Sequence, residues 1–372
     1  MKVALVHDWM NQVGGAEDVL ETLVDLFPDA PLYTSLYWPE KMPAHWQSWD
    51  IRTAFINRLP FAQRRQQLYF PLYPYAFEQF DFNDYDLVLS NKSGFCHGVI
   101  TGPDTTHICY CLTPTRYVWR YQQYARQENL GRMVRLMLQP FLTQLRLWDR
   151  LAADRVDHFI AISEEVRRRI GKIYRREAAI IYPPVDTGRF EPAAGQIDDY
   201  YLIVGHLVPY RRIDLLIEAF NHLQRPLVIA GSGRDRERLE AMAGPNITFL
   251  GYVPDHDLPE LMAKCRAFMF PGEEDFGIAP IQAMAAGRPV IAYAAGGAKE
   301  TVIPGTGRLF AEQTVAAIIE AVESFDPNNV SPAFIRRHAE QFDVSRFKQQ
   351  MMDFIEEKIR KGQWNSKHIG RY

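Results

Sequence analysis

The sequence predicts an α/β protein with two Rossmann-like domains, and three observations support this fold class. The chain has 372 residues, a length typical of two domains that each bury a core. In the first half, the apolar strand-like residues 3–6 precede an amphipathic helical segment that ends near Phe27. In the second half, the strand-like residues 267–270 are followed by a loop, a helical segment and a second strand-like run, residues 289–293. This alternation of strand and helix is typical of α/β folds.

Composition and charge indicate a globular chain without affinity for nucleic acid. Hydrophobic residues make up 47% and charged residues 23% of the sequence, and the net charge of −3 gives no basic excess for a polyanion. The amino-terminal residues predict a first strand rather than a signal peptide, and no apolar run reaches membrane-spanning length. We therefore expect a cytoplasmic protein, in which any membrane contact is peripheral and at the inner face of the plasma membrane.

The cysteines indicate a reducing compartment and no metal centre. The chain has four, Cys96, Cys109, Cys111 and Cys265, and their spacing does not match a metal-ligand motif. Cys109 and Cys111 alternate within an apolar run, so we expect a buried, reduced pair. The triplet 84–86, Asp-Tyr-Asp, imitates an Asp-x-Asp metal-binding motif. It precedes a strand rather than following one, and we expect it to be a solvated strand entry.

The segment 271–289 carries the main functional signal. Glu273, Glu274 and Asp275 form an acidic loop, and Gly277 then opens a helix with Pro280 in its first turn. Free amides and the positive end of the helix dipole form an anion site there, suited to a diphosphate. A carboxylate would repel phosphate, so we expect Glu274 to accept sugar hydroxyls. The loop thus predicts a nucleotide-sugar site; the alternative is an ordinary βαβ turn with a solvated acidic loop.

This segment resembles the C-terminal signature of retaining glycosyltransferases of family 4, close to the mannosyltransferase-like branch of O-antigen and exopolysaccharide synthesis. Two glutamates stand eight positions apart in that signature. The first matches Glu274, whereas the second falls at Gln282, a neutral amide that can still hydrogen-bond a ribose hydroxyl. The resemblance implies a GT-B fold, with two Rossmann-like domains facing a central cleft, and donor contacts at Phe276, Gly277 and Ile278.

Further matches to the family lie along the chain. Gly14 and Gly15, at a strand-to-helix turn, match the loop that faces the donor diphosphate. Arg116 and Tyr117 match a segment near the donor sugar, although Leu112 stands where the family usually has histidine. The remaining matches are in the second half, after strand-like runs. Gly205 ends one run, His206 and Arg211 match the basic pair that clamps the diphosphate, and the backbone at Val253 matches the contact with the base.

The resemblance also implies the domain boundaries. Residues 180–190, with Pro183 and Pro184, match the connection between the domains. We therefore expect an acceptor-side domain over 1–182 and a nucleotide-sugar domain over 183–341. The remaining segment, 342–372, is expected to form a helix that crosses back to the first domain, followed by a polar tail.

Two segments of the first half leave alternatives open. Residues 55–77 mix arginine with aromatic residues, which suits either a membrane interface or lipid-linked acceptor, or a plain packing surface. Residues 116–155 have a local charge balance of +5 and an apolar stripe, which suits either docking on anionic lipid or a core-facing helix with a solvated back. The arginines of the second segment are residues 116, 120, 126, 132, 135, 146, 150 and 155, and its acidic residues are Glu128, Asp149 and Asp154.

The resemblance implies a retaining glycosyltransferase that moves a sugar from a nucleotide-diphosphate donor, with GDP-mannose the leading candidate, to a glycan or lipid-linked acceptor in surface polysaccharide synthesis. Glu274, Arg211 and His206 would be its catalytic residues, and no metal or other cofactor is expected. The changes at Leu112, His206, Arg211 and Gln282 leave an alternative from another class. A degenerate GT-B protein could bind a partner glycosyltransferase or glycan without turnover.

Overall fold

The computed structural model describes residues 1–121 and 132–369, which form two compact units. The first comprises Met1–Tyr182 together with the chain from Phe347 onward, and the second comprises Pro183–Arg346. Each unit has one parallel sheet with helices as crossovers, so each is a Rossmann-like α/β domain. Among the described helices, none is both long and apolar enough to span a membrane.

The first domain is built on a seven-stranded parallel sheet with the strand order β3-β2-β1-β4-β5-β6-β7. The central strands are buried on both faces, as expected for a parallel sheet covered by helices. The free cysteines at positions 96, 109 and 111 lie in this buried region, so the expected reduced, buried pair is confirmed. The strands are β1 (Val3–His7), β2 (Leu32–Thr34), β3 (Ile51–Thr53), β4 (Leu87–Lys92), β5 (Thr106–Cys111), β6 (His158–Ala161) and β7 (Ala178–Ile180).

One helix of this domain begins at a residue type that favours the N-cap position. Ser163 caps this helix by accepting a hydrogen bond from the amide of Val166, with two glutamates in the first turn. Leu142 and Leu145 pack inward from the long helix α4 (Arg132–Ala152). The helices are α1 (Gly15–Leu26), α2 (Tyr73–Glu78), α3 (Arg116–Trp119), α4 (Arg132–Ala152) and α5 (Glu164–Ile173).

The second domain has a six-stranded parallel sheet with the order β10-β9-β8-β11-β12-β13. Its strands are β8 (Tyr201–Val204), β9 (Leu227–Ala230), β10 (Ile247–Gly251), β11 (Ala267–Phe270), β12 (Val290–Tyr293) and β13 (Gly307–Phe310). Its helices are α6 (Ile213–Leu223), α7 (Arg236–Met242), α8 (Leu258–Lys264), α9 (Ile278–Ala285), α10 (Ala298–Thr301), α11 (Val315–Ser324) and α12 (Pro332–Ala339). The first strand, β8, lies beside β11, so the order of winding reverses between these two strands.

The return to the first domain occurs later than the sequence analysis placed it. Phe342 belongs to the second domain, because its carbonyl accepts a hydrogen bond from the Val185 amide and its ring packs on Phe276. Thr187 also donates to the Asp343 carboxylate. Helix α13 (Val344–Ile369) starts there and enters the first domain at Phe347, whose ring contacts Tyr110. The helix extends through most of the segment predicted as a polar tail.

Buried polar groups hold the loops at the carboxyl edge of the first sheet. Lys92, at the end of β4, is fully buried and donates to the Thr113 carbonyl and to Thr115 Oγ1. Asp149, on α4, is equally buried and accepts from Thr115, Trp119 and Tyr174. Burial lowers the pKa of Lys92, but the field of Asp149 and of other nearby groups raises it more. The Lys92 ammonium therefore stays charged inside the protein.

Two buried histidines predict that the protein loses stability in mild acid. Burial, with the positive charge of Lys92, lowers the pKa of His97 to about 4, and burial lowers that of His107 to about 3. In the unfolded chain both titrate near pH 6.5, so below that pH only the unfolded state takes up these protons. We expect the free energy of unfolding to fall between pH 6.5 and pH 4, by about 1.4 kcal/mol per pH unit for each histidine at the steepest.

Urea unfolding of the full chain at pH 7, 6 and 5 measures this loss. His107→Gln, which can still hydrogen-bond Ser90, should show a shallower pH dependence than the parent. His222→Gln, at an exposed position, should match the parent. An unchanged slope in His107→Gln would rule out His107 as a source of the acid sensitivity.

Candidate donor-binding site

The candidate site in the second domain lies at the carboxyl ends of β8 and β11, where the strand order reverses. In open α/β sheets, this switch point is where ligands bind, because the neighbouring loops diverge to opposite faces of the sheet. The loop after β8 carries Gly205, His206 and Arg211, and the loop after β11 carries Glu274. Adjacent pairing of these strands, from Ala267 to Tyr201, brings the two loops together.

Arg211 and Glu274 form an ion pair at this point. Arg211 Nη2 lies 2.9 Å from Glu274 Oε1, and less than one-fifth of each side chain is exposed. The Nε of Arg211 is buried and has no hydrogen-bond partner among the described residues. A guanidinium has five N–H donors, so Arg211 can hold Glu274 and still donate to an anion.

Glycines fix the two loops against each other. Gly205 has φ +150°, and a Cβ there would lie 2.1 Å from Arg211 Nη1, so the guanidinium occupies the space of the missing side chain. A Cβ on Gly296 would lie 1.9 Å from the carbonyl oxygen of Glu274, and Gly297 donates its amide to that oxygen. The acidic loop is therefore positioned by close backbone contact on one side and by Arg211 on the other.

Helix α9 begins four residues after Glu274. Gly277 is its N-cap with φ +94°, and a Cβ there would lie 2.9 Å from the Phe270 ring, so the position requires glycine. None of the described side chains caps this helix. Ile278 and Gln282 stand one turn apart on it, and both are partly exposed. An anion at this end would meet the amides and the positive end of the helix dipole.

The other predicted site residues of this domain differ in solvent exposure. His206 is exposed beside Gly205, and Val253 is partly exposed after β10, next to Tyr252, whose side chain is 74% exposed. Phe276 is buried and packs against Phe342 at 5.6 Å between ring centroids. Its side chain belongs to the domain core, so only its backbone can contact a ligand, and the prediction of a donor contact is limited to that backbone.

In the first domain, Gly14 is the N-cap of α1 and Gly15 is its first residue. The Gly14 carbonyl accepts the amides of Glu17 and Asp18, and none of the described side chains caps the helix. Glu17 is buried, with its carboxylate 3.5 Å from His7 Nε2. Sequence analysis did not single out either residue, although an acidic residue in the first turn, on the inward face of α1, is a signal that could have indicated this pair.

Arg116 and Tyr117 open the short helix α3 and are both partly buried. The Tyr117 ring contacts Phe70 at 4.9 Å and Trp9 at 6.2 Å, so it packs against aromatic residues of the first domain. Leu112 is partly exposed, and its amide donates to the carbonyl of Lys92. Lys92 and Asp149 therefore hold the segment from Leu112 to Tyr117 in place, a role that sequence analysis did not assign to them.

A third buried acid, Asp8, also escaped the sequence analysis. Its carboxylate accepts the backbone amides of residues 93–96, and its own backbone carbonyl accepts the Ser35 hydroxyl. The position of Asp8, directly after a buried strand, was the available signal. Within residues 1–121 and 132–369, no group of three or more histidine, cysteine, aspartate or glutamate side chains is placed to hold a metal ion.

The two halves of the chain match two family models. Residues 13–189 match the model described as Glycosyltransferase Family 4, and residues 186–341 match that of Glycosyl transferases group 1. Each half of the chain is therefore similar to a glycosyltransferase family. The two matched regions overlap at residues 186–189, within the predicted connection between the domains.

Curated relatives of this chain include enzymes with named donors. A GDP-mannose-dependent alpha-(1-6)-phosphatidylinositol monomannoside mannosyltransferase of Mycolicibacterium smegmatis is 32% identical over 193 residues, or 43% of this chain and 50% of the relative. The D-rhamnosyltransferase WbpZ of Pseudomonas aeruginosa is 27% identical over 204 residues, or 50% of this chain and 51% of the relative. The chain thus spans about half the length of the curated relatives it matches.

Solved glycosyltransferase structures share the fold over nearly the whole chain. The crystal structure of HepE from Anabaena, in complex with UDP and glucose, superposes with a TM-score of 0.73. It covers 96% of this chain and 99% of HepE at 19% identity. At this identity the similarity shows the fold, and it confirms the predicted GT-B class of two Rossmann-like domains.

The glycine under Arg211 gives a test of the site. We expect Gly205→Ala to push the guanidinium away from Glu274 and to weaken nucleoside diphosphate binding roughly 10- to 100-fold, the effect of losing a charge-assisted hydrogen bond. The clash involves the flexible end of Arg211, but the φ of +150° strains any residue other than glycine, so thermal unfolding of the variant first checks that the domain keeps its fold. Calorimetric titration gives the affinity. The control is Gly195→Ala, because a Cβ on Gly195 meets nothing within 4 Å; equal affinities for both variants would contradict the placement of Arg211 at the site.

Proposed function

We propose that this protein is a retaining glycosyltransferase that uses a nucleotide-sugar donor, with GDP-mannose the leading candidate. The observation that carries the proposal is the Arg211–Glu274 pair beside the uncapped start of α9, at the switch point of the second sheet. This arrangement offers donors for a diphosphate and an acceptor for sugar hydroxyls within one small region. The GDP-mannose-dependent relative supports the choice of donor, whereas the UDP complex of HepE makes UDP-sugars the first alternative to exclude.

In the proposed reaction, the bond between the anomeric carbon and the diphosphate breaks, and the bonding electrons leave with the nucleoside diphosphate. The acceptor hydroxyl forms the new bond on the same face of the sugar, and its proton passes to the departing diphosphate. Arg211 and the α9 amides would stabilise the charge that develops on the leaving group. Glu274 would orient the sugar through its hydroxyls, since one carboxylate oxygen can hold Arg211 while the other accepts a hydrogen bond. His206, exposed on the same loop, would add a second donor to the diphosphate.

The acceptor belongs to the proposal as well. We propose a glycan or a lipid-linked saccharide in the synthesis of a surface polysaccharide, which the sugar-transferring relatives support. The first-domain positions Gly14, Gly15, Arg116 and Tyr117 stay predictions as donor contacts. No metal ion or other cofactor enters the proposed reaction.

A panel of nucleotides tests the donor. We expect GDP and GDP-mannose to raise the melting temperature more than UDP, ADP or their sugar conjugates. A ligand that binds only the folded state stabilises it by about 2.7 kcal/mol at a hundred times its Kd, so the preferred nucleotide gives the largest shift at equal concentration. Thermal-shift measurement on the full chain reads this out. Arg211→Met should lose the shift. A shift with UDP alone would indicate a UDP-sugar as the donor instead of GDP-mannose. The absence of a shift with every nucleotide would contradict nucleotide-sugar binding.

A positive nucleotide result leads to a turnover measurement that separates the enzyme from the non-catalytic alternative. Sugar release from the stabilising donor is compared between the parent chain and Gln282→Glu, which restores the second glutamate of the family signature. If the parent is active and the variant is slower, the glutamine is adapted to this site. Activity found only in the variant would identify the natural chain as a binding protein.

Peripheral contact with an anionic membrane is a further part of the proposal. Helix α4 exposes the apolar side chains Phe141, Leu147 and Leu151, each more than half exposed, on a helix whose opposite face packs inward through Leu142 and Leu145. Residues 55–77 expose Phe61 and Leu68 beside arginines, while others of that segment are buried in the core. An apolar face with basic neighbours suits the interface of an anionic bilayer. Arg126 and Glu128 lie outside the described residues, as do the side chains of Arg132 and Arg135.

Vesicle cosedimentation tests this contact. We expect binding to vesicles of phosphatidylcholine with phosphatidylglycerol that weakens with added salt, and weaker binding to phosphatidylcholine alone. The double substitution Leu147→Gln and Leu151→Gln should reduce binding, because it removes the exposed apolar face. The control, Leu250→Gln, changes an exposed leucine of the second domain. Equal binding by both variants and the parent would exclude α4 as the contact.

A further inference from the structure

We infer that the first domain binds a saccharide at a cluster of amide and aromatic side chains, Asn11, Tyr37, Trp38, Gln63 and Gln66, here called the amide cluster. The inference rests on the proposed function, because it places the acceptor of that reaction. The amide cluster lies beyond the carboxyl ends of β1 and β2, the edge of the sheet where ligands bind in α/β folds. Asn11 precedes Gly14 and Gly15 on the loop that leads into α1.

The backbone brings the members of the cluster together. Past the ends of β1 and β2 the two segments remain paired, because the Met10 amide donates to the Leu36 carbonyl and the Trp38 amide donates to the Met10 carbonyl. A third segment, which carries Gln63 and Gln66, contacts both of them. Asn11 Nδ2 donates to the Gln63 carbonyl at 3.1 Å and to Gln66 Oε1 at 3.0 Å. Gln63 Nε2 donates to the Tyr37 carbonyl at 3.0 Å, so all three segments meet at one place.

These internal bonds use only one end of each amide. Bonds from Asn11 and Gln63 to backbone carbonyls require the NH₂ end, which leaves Asn11 Oδ1 and Gln63 Oε1 as unused acceptors. Gln66 uses its oxygen and keeps its NH₂ group as an unused donor. Asn11 Oδ1 and the Tyr37 hydroxyl are buried without a hydrogen-bond partner within the described ranges. Buried polar groups of this kind cost free energy unless a ligand or water satisfies them.

The unused groups match the chemistry of a sugar. A pyranose presents neighbouring hydroxyls that both donate and accept, and the cluster offers two amide acceptors, one amide donor and a phenol. Trp38 is partly exposed and adds an aromatic ring, the surface on which the apolar face of a sugar ring packs. Burial raises the pKa of Tyr37, with a contribution from Glu40, so its hydroxyl stays protonated and can donate.

The rim of the cluster is basic. The guanidinium of Arg64 lies 5.7 Å and the ammonium of Lys41 lies 5.6 Å from the centre of the Trp38 ring. The turn that carries Gln63 and Arg64 starts at Phe61, which has φ +58° and a side chain that is 72% exposed. A left-handed phenylalanine is rare, and such conformations concentrate at binding sites. A saccharide with an adjacent negative group, such as a phosphate, fits the amide cluster and its basic rim better than a neutral sugar.

Saturation-transfer NMR tests the inference with defined probes. The probes are methyl α-D-mannopyranoside, methyl α-D-glucopyranoside, methyl α-L-rhamnopyranoside and α-D-mannose 1-phosphate, each added to the full chain with the donor site filled by saturating GDP. We expect saturation transfer to at least one of them, with the phosphorylated sugar bound more tightly than its methyl glycoside. Gln63→Ala should weaken that binding about five- to tenfold, the loss of one hydrogen bond, and Trp38→Ala by at least as much.

Matched controls complete the test. Gln67→Ala changes an exposed glutamine on the same segment, and Trp49→Ala changes a tryptophan that stacks on Trp46 outside the cluster. Both should bind the probe as the parent does. Absence of saturation transfer to all four probes, or equal weakening by Gln63→Ala and Gln67→Ala, overturns the inference. The GDP thermal shift of each variant distinguishes a failure of this inference from a failure of the proposed function. If the parent chain itself shows no thermal shift with any nucleotide, the proposed function fails.

Discussion

Parallel strand pairing is the constraint on which both domains depend. Because every strand runs in the same direction, each strand-to-helix loop emerges at the same edge of its sheet, and only the strand order decides which loops become neighbours. In the second domain β8 lies beside β11, so Arg211 and Glu274 form an ion pair although three strands, β9, β10 and β11, separate their loops in the chain. The proposed chemistry of the site depends on this adjacency, since neither side chain alone would provide both a charge for a diphosphate and an acceptor for a sugar.

The two domains position their loops by different physical means. In the second domain the loops approach through glycines, and the positions of Gly205, Gly277 and Gly296 leave no room for a Cβ. In the first domain the hydrogen bonds of buried ionisable side chains position the loops. Asp8 gathers the amides of residues 93–96, and Lys92 and Asp149 hold the segment from Leu112 onward. Removing one of these buried side chains would leave its hydrogen-bond partners unsatisfied, which costs free energy.

In the proposed transferase, the second domain would bind the donor and the first domain would bind the acceptor, and the difference between their loops suits these two roles. A diphosphate is a constant feature of nucleotide-sugar donors, and a site of backbone amides with one ion pair can serve any of them. Acceptors vary, and the amide cluster of the first domain has side chains whose free ends can be changed without altering the sheet. The exposed apolar face of α4 and the basic rim around Trp38 belong to that same domain. Recognition of the acceptor and of a surface on which it lies can thus reside in one domain.

The sequence by itself determined the fold class, the helix start at Ser163, the buried cysteines and the two loops that carry Arg211 and Glu274. These features depend on local patterns, namely apolar periodicity, capping residues and glycines after strands. Tertiary structure decided that Phe276 faces the core, that the chain returns at Phe347, and that Asp8, Lys92 and Asp149 are buried together. It also assembled Asn11, Tyr37 and Gln63. Such groupings join residues far apart in the chain, and their contacts exist only after the strand order is set, which no local pattern encodes.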